Sequence, residues 1–266
     1  MHANATLELE TPDGHMPVHV FEPAAGPRKG GVLFYMDAFG LRPELDGMCR
    51  RYANAGFMVI MPDLYYRLGS PRFSVPRSAA EPLDPAMMTA NLATTVEMTI
   101  ADTGAILDHV AATPAYAIQR FGAVGYCMGA RHALGAAATH ARTIRATACL
   151  HGGRLVWEGA NSPHLYIPRV QGAVYFAFAA EDETCPDEHK ALIERTIAQS
   201  SVAGRVEHYA AAHGWTFPER WCFDAVAAEH AFKAVLSLFD EHVRATTTVA
   251  ARRPVRLGPG RSGWRE

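Results

Sequence analysis

The stretch FGAVGYCMGARHALGAAA, residues Phe121–Ala138, carries the strongest structural signal in the chain. It begins as a short apolar run typical of a strand, turns at Gly125 and Gly129, and continues as an alanine-rich helix. Cys127 lies at the centre of that turn. The G-x-C-x-G spacing is that of a nucleophile elbow, with cysteine where serine is usual.

An elbow of this kind predicts a reactive thiol. Its side chain would project from the carboxyl end of the sheet, where open α/β sheets bind ligands. The positive amino end of the next helix favours a thiolate, and the Met128 amide can donate to a developing oxyanion. The alternative for Cys127 is a buried cysteine that packs as a small hydrophobic residue.

Outside the elbow, β-rich runs alternate with longer helical patterns, which predicts an α/β fold. Continuous apolar runs such as VLFYM and VYFAF indicate a mostly parallel central sheet with helices on both faces. We expect one domain over residues 1–245 and a disordered tail over 246–266. The predicted strands are MPVHVFEP, GGVLFYM, GFMVIMP, FGAVGY, ATACLH, GAVYFAFAA and RVEHY; the predicted helices span 43–55, 85–112, 129–140, 186–200 and 224–243.

Charge and cysteine usage exclude several classes of partner. The formal net charge is -2 and the pI is about 6.7, so no basic field recruits nucleic acid or anionic lipid. No apolar segment approaches the roughly 20 residues needed to span a bilayer. The five cysteines lack CxxC spacing and no histidine lies in an HExxH motif, so we expect no metal site and a reduced, cytoplasmic protein.

A catalytic reading of Cys127 requires an acid and then a histidine further along the chain, each after a strand. The acidic cluster Glu181, Asp182 and Glu183 follows GAVYFAFAA, and His213 follows RVEHY. Both come in the required order. Position alone leaves all three carboxylates open as the partner of His213.

The chain resembles the dienelactone hydrolases of the α/β-hydrolase fold over roughly Leu7 to Val243. The motifs that carry the likeness are GYCMG, AAEDETCP, AAHGW and the segment MDAFGLRPELDGMCRRYANAGFMVIMPDLYYR. In that family an Asp followed four residues later by Pro is the triad acid, which singles out Asp182. The resemblance also implies that Asp37 takes the place of a Glu that gates the nucleophile, and that the Ala38 amide completes the oxyanion hole.

The resemblance thus implies a hydrolase that cleaves an ester or lactone with Cys127, Asp182 and His213 and needs no cofactor. We expect a small-molecule substrate and a monomer or homodimer. The alternatives are a general carboxylesterase or thioesterase, a non-catalytic ligand-binding member of the fold, and a redox-sensing thiol.

Substrate choice is where the chain departs from the family pattern. Dienelactone hydrolases follow the histidine with a closely spaced Phe and Arg, whereas this chain has Trp215 and Phe217, and Arg220 only further along. We therefore expect neutral activated esters or lactones to be hydrolysed at least as well as carboxylate-bearing dienelactones, unless Arg220, Arg131 or Arg67 reaches the site. The candidate substrate-binding residues are Tyr126, Arg131, His151, Trp215 and Arg220. The long connection 64–85 is a candidate lid, with Tyr65, Tyr66 and Arg67 near the triad.

Overall fold

The computed structural model describes residues 3–244 and centres on one eight-stranded sheet. In the order in which they lie in the sheet, the strands are β1-β2-β4-β3-β5-β6-β7-β8. Strands β4, β3, β5, β6, β7 and β8 run parallel to one another, and β1 and β2 are antiparallel at one edge. The strands are β1 (Ala5–Thr11), β2 (Gly14–Phe21), β3 (Gly31–Tyr35), β4 (Met58–Pro62), β5 (Phe121–Tyr126), β6 (Ile144–Leu150), β7 (Ala173–Glu181) and β8 (Ala203–Ala212).

Helices cover both faces of the sheet, as predicted. Successive residues of β5 face opposite sides of the sheet. Gly122 meets Phe239 and Tyr126 meets Tyr52 on one side, whereas Gly125 meets Gly129 on the other. The helices are α1 (Pro43–Asn54), α2 (Pro85–Ala93), α3 (Val96–Ala112), α4 (Met128–Thr139), α5 (Asp187–Ala198) and α6 (Ala225–His242).

The single helix predicted over residues 85–112 is wrong, because the chain breaks between α2 and α3. Thr94 and Thr95 both adopt extended backbone, and the Thr95 side chain accepts a hydrogen bond from the Met98 amide. A threonine that caps a helix in this way satisfies an amide that has no partner within the helix. The Thr-Thr pair before an apolar run is the signal for this second start.

The sequence pattern also missed β1. Its residues alternate between polar and apolar, and pair with β2 from Ala5 opposite Val20 to Thr11 opposite Gly14. Such alternation is typical of an edge strand with one solvated face. The tail predicted over 246–266 lies outside the described residues. Within residues 3–244 no helix is long and apolar enough to cross a membrane.

Candidate active site

The turn between β5 and α4 holds Cys127 in a backbone conformation that few non-glycine residues adopt. Its φ is 52° and its ψ is -113°. The flanking glycines make this turn possible, because a Cβ at Gly125 would lie 2.1 Å from the Gly129 carbonyl oxygen and one at Gly129 would lie 2.2 Å from the Tyr35 carbonyl oxygen. Strain of this kind persists where the surroundings enforce it, commonly at functional sites.

The acid and the histidine meet Cys127 at the same edge of the sheet. The Nδ1 atom of His213 lies 2.7 Å from Oδ2 of Asp182, and Cys127 acts on the same imidazole by raising its pKa. The Asp182 carboxylate is fixed in turn, because its Oδ1 accepts hydrogen bonds from the Thr184 amide at 2.9 Å and the Thr184 hydroxyl at 2.6 Å. Of the three acidic residues, Asp182 is buried, while Glu181 and Glu183 are exposed.

The electrostatics of this cluster favour a charged imidazole. Burial lowers the pKa of His213, but the negative charge of Cys127 and hydrogen bonds with Asp182 and Cys127 outweigh it, and the net result raises the pKa to about 10. A pKa near 10 favours the protonated imidazole at neutral pH. Removing the negative charge of Cys127 removes the largest contribution that raises the pKa.

A titration can test this coupling. In Cys127→Ala the pKa of His213 should fall from about 10, because burial still opposes the cation and only Asp182 remains to support it. NMR titration of the His213 ring signals measures the shift, with Cys49→Ala, a buried cysteine on α1, as the matched control. An identical His213 titration in wild type and Cys127→Ala would contradict the account.

The backbone amides of Ala38 and Met128 are the predicted donors of the oxyanion hole. Met128 is the first residue of α4, so its N–H has no partner within the helix. Ala38 lies three residues beyond the end of β3. The Tyr65 hydroxyl joins the two segments, since it donates to the Ala38 carbonyl oxygen at 3.0 Å and contacts Met128 Sδ at 3.3 Å. The sequence pattern indicates Tyr65 only as a candidate lid residue, because its contact with Met128 depends on the fold.

Asp37 is engaged by an arginine and not by the nucleophile. Its two carboxylate oxygens pair with Nη1 and Nη2 of Arg42 at 2.6 and 2.8 Å, and Arg42 also pairs with Glu219. The short aspartate side chain and the bidentate guanidinium account for the difference from the expected contact with Cys127. The gating role of Asp37 has no contact here that supports it and stays a prediction.

Comparisons with known proteins agree on one family. The family model described as the dienelactone hydrolase family matches residues 16–243. The chain belongs to this family.

The dienelactone hydrolase likeness extends to individual proteins. A Synechocystis protein provisionally named carboxymethylenebutenolidase is 26% identical over 236 residues, which cover 85% of this chain and 92% of that protein. A Klebsiella pneumoniae structure provisionally described as a dienelactone hydrolase superposes with a TM-score of 0.75 at 21% identity, covering 88% of this chain and 97% of that one. A dienelactone hydrolase-like promiscuous phosphotriesterase, P91, from metagenomic libraries superposes at 0.67 with 24% identity, covering 91% and 99%. The α/β-hydrolase fold predicted from the sequence is confirmed.

Three predicted substrate-binding residues of this dienelactone hydrolase family member are buried near His213. Tyr126, His151 and Trp215 are each buried, and the His151 ring packs edge-to-face on His213 with centroids 5.1 Å apart. His151 Nε2 lies 2.7 Å from the Thr216 hydroxyl, and burial, together with nearby positive charge, keeps the pKa of His151 well below its usual range. All three are packed in the core, and their role in substrate binding stays a prediction.

Two predicted arginines carry charge without a carboxylate partner among residues 3–244. Arg131 is buried, and its Nη2 donates only to the Asn91 carbonyl oxygen at 2.9 Å and the Asn91 Oδ1 at 2.6 Å. Burial lowers the pKa of Arg131 to about 10, against the effect of Cys127 and Tyr65, so the guanidinium remains a cation at neutral pH. Arg220 is half-buried with its Cζ 5.0 Å over the Phe39 ring, and its Nε has no partner.

Of the candidate lid residues, Tyr65 contacts the elbow residue Met128, and the lid role stays a prediction. Tyr65 is fully buried beside Ala38 and Met128. Arg67 was expected near the triad, which is wrong: it forms a bidentate pair with Asp102 at 2.8 Å and a further ion pair with Asp13. The Tyr66 hydroxyl also bonds to Asp102, at 3.0 Å. The charge of Arg67 is therefore balanced by Asp102 and Asp13.

Proposed function

We propose that this protein hydrolyses an ester or lactone through a covalent thioester on Cys127. His213 is the proton carrier, and Asp182 orients its ring and stabilises its cation. The Ala38 and Met128 amides are the oxyanion donors. The observation that carries the proposal is the hydrogen-bonded series from Thr184 through Asp182 to His213, which ends at the strained elbow cysteine.

Acylation begins with the charged sulfur. The Cys127 thiolate attacks the acyl carbon, and the carbonyl oxygen becomes an oxyanion between the two amides. The carbon–oxygen bond then breaks, and the leaving oxygen takes the proton of the His213 imidazolium. The alcohol or enol departs and a thioester with a neutral His213 remains. In a lactone the leaving oxygen stays attached to the acyl group.

Deacylation follows from the same electrostatics. A thioester sulfur carries no negative charge, so the largest contribution that raises the pKa of His213 is lost on acylation. The neutral imidazole can then take a proton from water, whose oxygen adds to the thioester carbon. Collapse releases the carboxylic acid, which loses its proton to the solvent, and restores the thiolate beside a protonated His213. The loss of the negative charge on Cys127 during acylation thus converts His213 from a general acid into a general base.

An activity panel tests the proposed reaction. Activated phenyl esters, thioesters and unsaturated enol lactones should all be hydrolysed, because each has a stabilised phenolate, thiolate or enolate as its leaving group. Binding of these compounds without any turnover would reject the enzyme and favour a non-catalytic ligand-binding protein. Turnover of thioesters alone would reject the lactone and ester assignment in favour of a thioesterase.

For the substrate we propose a compound with a carboxylate on its acyl part. A buried cation without a counter-charge is costly, and a bound anion would remove that cost. Arg131 and Arg154 both line a cavity of about 160 Å³, whose lining also contains one carboxylate, Glu97. This cavity lies near the nucleophile, because the Gly153 amide next to Arg154 donates to the Cys127 carbonyl oxygen at 3.1 Å.

Arginine substitutions test the substrate class. Arg131→Gln should raise KM for a carboxylate-bearing enol lactone roughly 10- to 100-fold, the usual worth of a hydrogen bond to a charged group, and leave KM for its neutral methyl ester within about threefold. Arg220→Gln tests the second unpaired cation, and Arg67→Gln is the matched control because Asp102 already neutralises Arg67. Equal effects of Arg131→Gln on the anionic and neutral substrates would reject the proposal.

We also propose one α/β-hydrolase domain over residues 1–245, acting on small molecules as a monomer or homodimer. A cytoplasmic location suits a thiol nucleophile, since a reducing compartment keeps it from oxidation. All five cysteines are unpaired.

A further inference from the structure

A cavity of about 430 Å³ lies between α1 and α6, on the opposite side of β5 from α4. Its walls include Gly47 and Arg51 from α1 and Ala228 and Phe232 from α6, and Tyr126 from the end of β5 contributes to its floor. The volume falls within the range of small-molecule sites. Neither Cys127 nor His213 lines it, so it is separate from the proposed acyl site.

Small residues keep this α1/α6 cavity open. Gly47 is exposed at the mouth of the cavity, where a Cβ would meet no atom within 4 Å, and the buried Ala228 lines the cavity from α6. Glycine in a helix interior is destabilising relative to alanine, so α1 gives up stability at a position where a larger side chain would narrow the cavity.

The cavity wall also contains an incomplete hydrogen-bond pair. The hydroxyls of Tyr52 and Tyr126 lie 2.7 Å apart, and both residues are buried and line the cavity. Each hydroxyl has one proton that it can donate, but the single hydrogen bond between them uses only one of the two protons. Among residues 3–244 neither hydroxyl has another partner, so one buried O–H is left without an acceptor. Leaving such a donor unpaired is unfavourable, and an oxygen atom of a ligand would satisfy it.

The charges around the cavity favour an uncharged occupant. Arg51 and Glu229 form an ion pair between α1 and α6, and the Arg51 guanidinium lies 3.8 Å over the Phe232 ring. Burial and the nearby charge of Glu219 raise the pKa of Glu44, a further lining residue, which opposes an anionic ligand. The remaining surface is largely aromatic and aliphatic.

One wall of the cavity connects to the proposed triad. Thr216 lines the cavity, its hydroxyl lies 2.7 Å from His151 Nε2, and the His151 ring packs against His213. His151 has a φ of 36°, and its Nδ1 is buried without a partner. A shift of Thr216 on ligand binding would therefore be transmitted to the ring that backs the proposed catalytic histidine.

We propose that the α1/α6 cavity binds a neutral small molecule with a ring-sized apolar body and a carbonyl oxygen, and that its occupancy alters hydrolysis through Thr216 and His151. The carbonyl oxygen accepts the spare tyrosine proton while the ring packs between Phe232 and the small residues. The binding stands independently of the proposed function, whereas its effect on hydrolysis rests on that function.

Acetophenone is a suitable probe, with ethylbenzene as its analogue without the carbonyl oxygen. Binding is measured by saturation-transfer NMR and calorimetry on the full chain after iodoacetamide has blocked Cys127, so that the triad cannot contribute. We expect saturable binding of acetophenone, at least fivefold tighter than that of ethylbenzene. The Tyr52→Phe/Tyr126→Phe double variant should abolish this preference while ethylbenzene binding persists.

Filling variants locate the site. Ala228→Leu and Gly47→Leu should each weaken acetophenone at least tenfold, while Val226→Leu, on the exposed side of α6, should leave it unchanged. Two filling variants on different helices guard against a folding defect in one. No saturable binding to the wild-type protein, or wild-type affinity in both filling variants, would overturn the site.

The coupling is read from kcat of the unblocked enzyme with a phenyl ester at saturating acetophenone. A change in kcat in wild type that disappears in Thr216→Val supports it. Bound acetophenone with an unchanged kcat would overturn the coupling. A wild-type enzyme without any esterase activity, but with the expected binding, would instead reject the proposed function.

Discussion

Cys127→Ala is expected to lower kcat/KM for activated esters by roughly 10⁴- to 10⁶-fold, the loss typical of removing a covalent nucleophile. The reason is that no thioester can form, while the oxyanion amides and the fold remain. Alanine at residue 127 keeps the elbow backbone and removes only the sulfur. Steady-state kinetics with a phenyl ester measure the loss, and circular dichroism establishes that the variant is folded.

Cys49→Ala provides the matched control for this substitution. Cys49 is buried on α1 and its sulfur contacts Met61, so its loss should affect thermal stability and leave kcat/KM within about threefold, as for a substitution outside the site. If Cys127→Ala kept a tenth or more of wild-type activity, a water directly activated by His213 would replace the covalent mechanism.

Asp182→Asn is expected to lower kcat by about 10⁴-fold, the effect of presenting the wrong histidine tautomer to the nucleophile. The carboxylate accepts from His213 Nδ1, whereas an asparagine amide can donate to it and move the ring proton to the other nitrogen. Loss of the Asp182 charge also removes support for the His213 cation. KM should change little, because the aspartate does not touch the substrate.

Glu181→Gln and Glu183→Gln serve as controls for the acid. Both glutamates flank Asp182 but are exposed, so each variant should keep kcat within about threefold. A loss of activity in Glu183→Gln comparable with that in Asp182→Asn would show that the acid has been assigned to the wrong residue.

The sequence carried most of what determines the elbow and the triad order. Gly125 and Gly129 were readable because only glycine permits the backbone contacts that the structure shows at 2.1 and 2.2 Å. The acid and the histidine were readable because each follows a buried apolar run, and the carboxyl ends of parallel strands meet at one edge.

Ion pairs and hydrogen bonds between segments distant in sequence could not be predicted. Arg67 lies in the connection between β4 and α2, and its charge is neutralised by Asp102 of α3. Arg131, in contrast, donates its hydrogen bonds to Asn91. Composition does not reveal which arginine has a counter-charge, because that depends on how the helices pack. The same holds for His151, whose contact with Thr216 joins the end of β6 to the histidine loop.

The identity of the acyl carrier tests the account most directly. Wild-type enzyme is mixed with a phenyl ester, quenched in acid within milliseconds, digested and mapped by mass spectrometry. The account predicts an acyl group on the peptide that contains Cys127, appearing at the rate of phenol release and lost at the rate of deacylation. Active enzyme that carries no acyl group on Cys127 during turnover, or carries it on another residue, would contradict it.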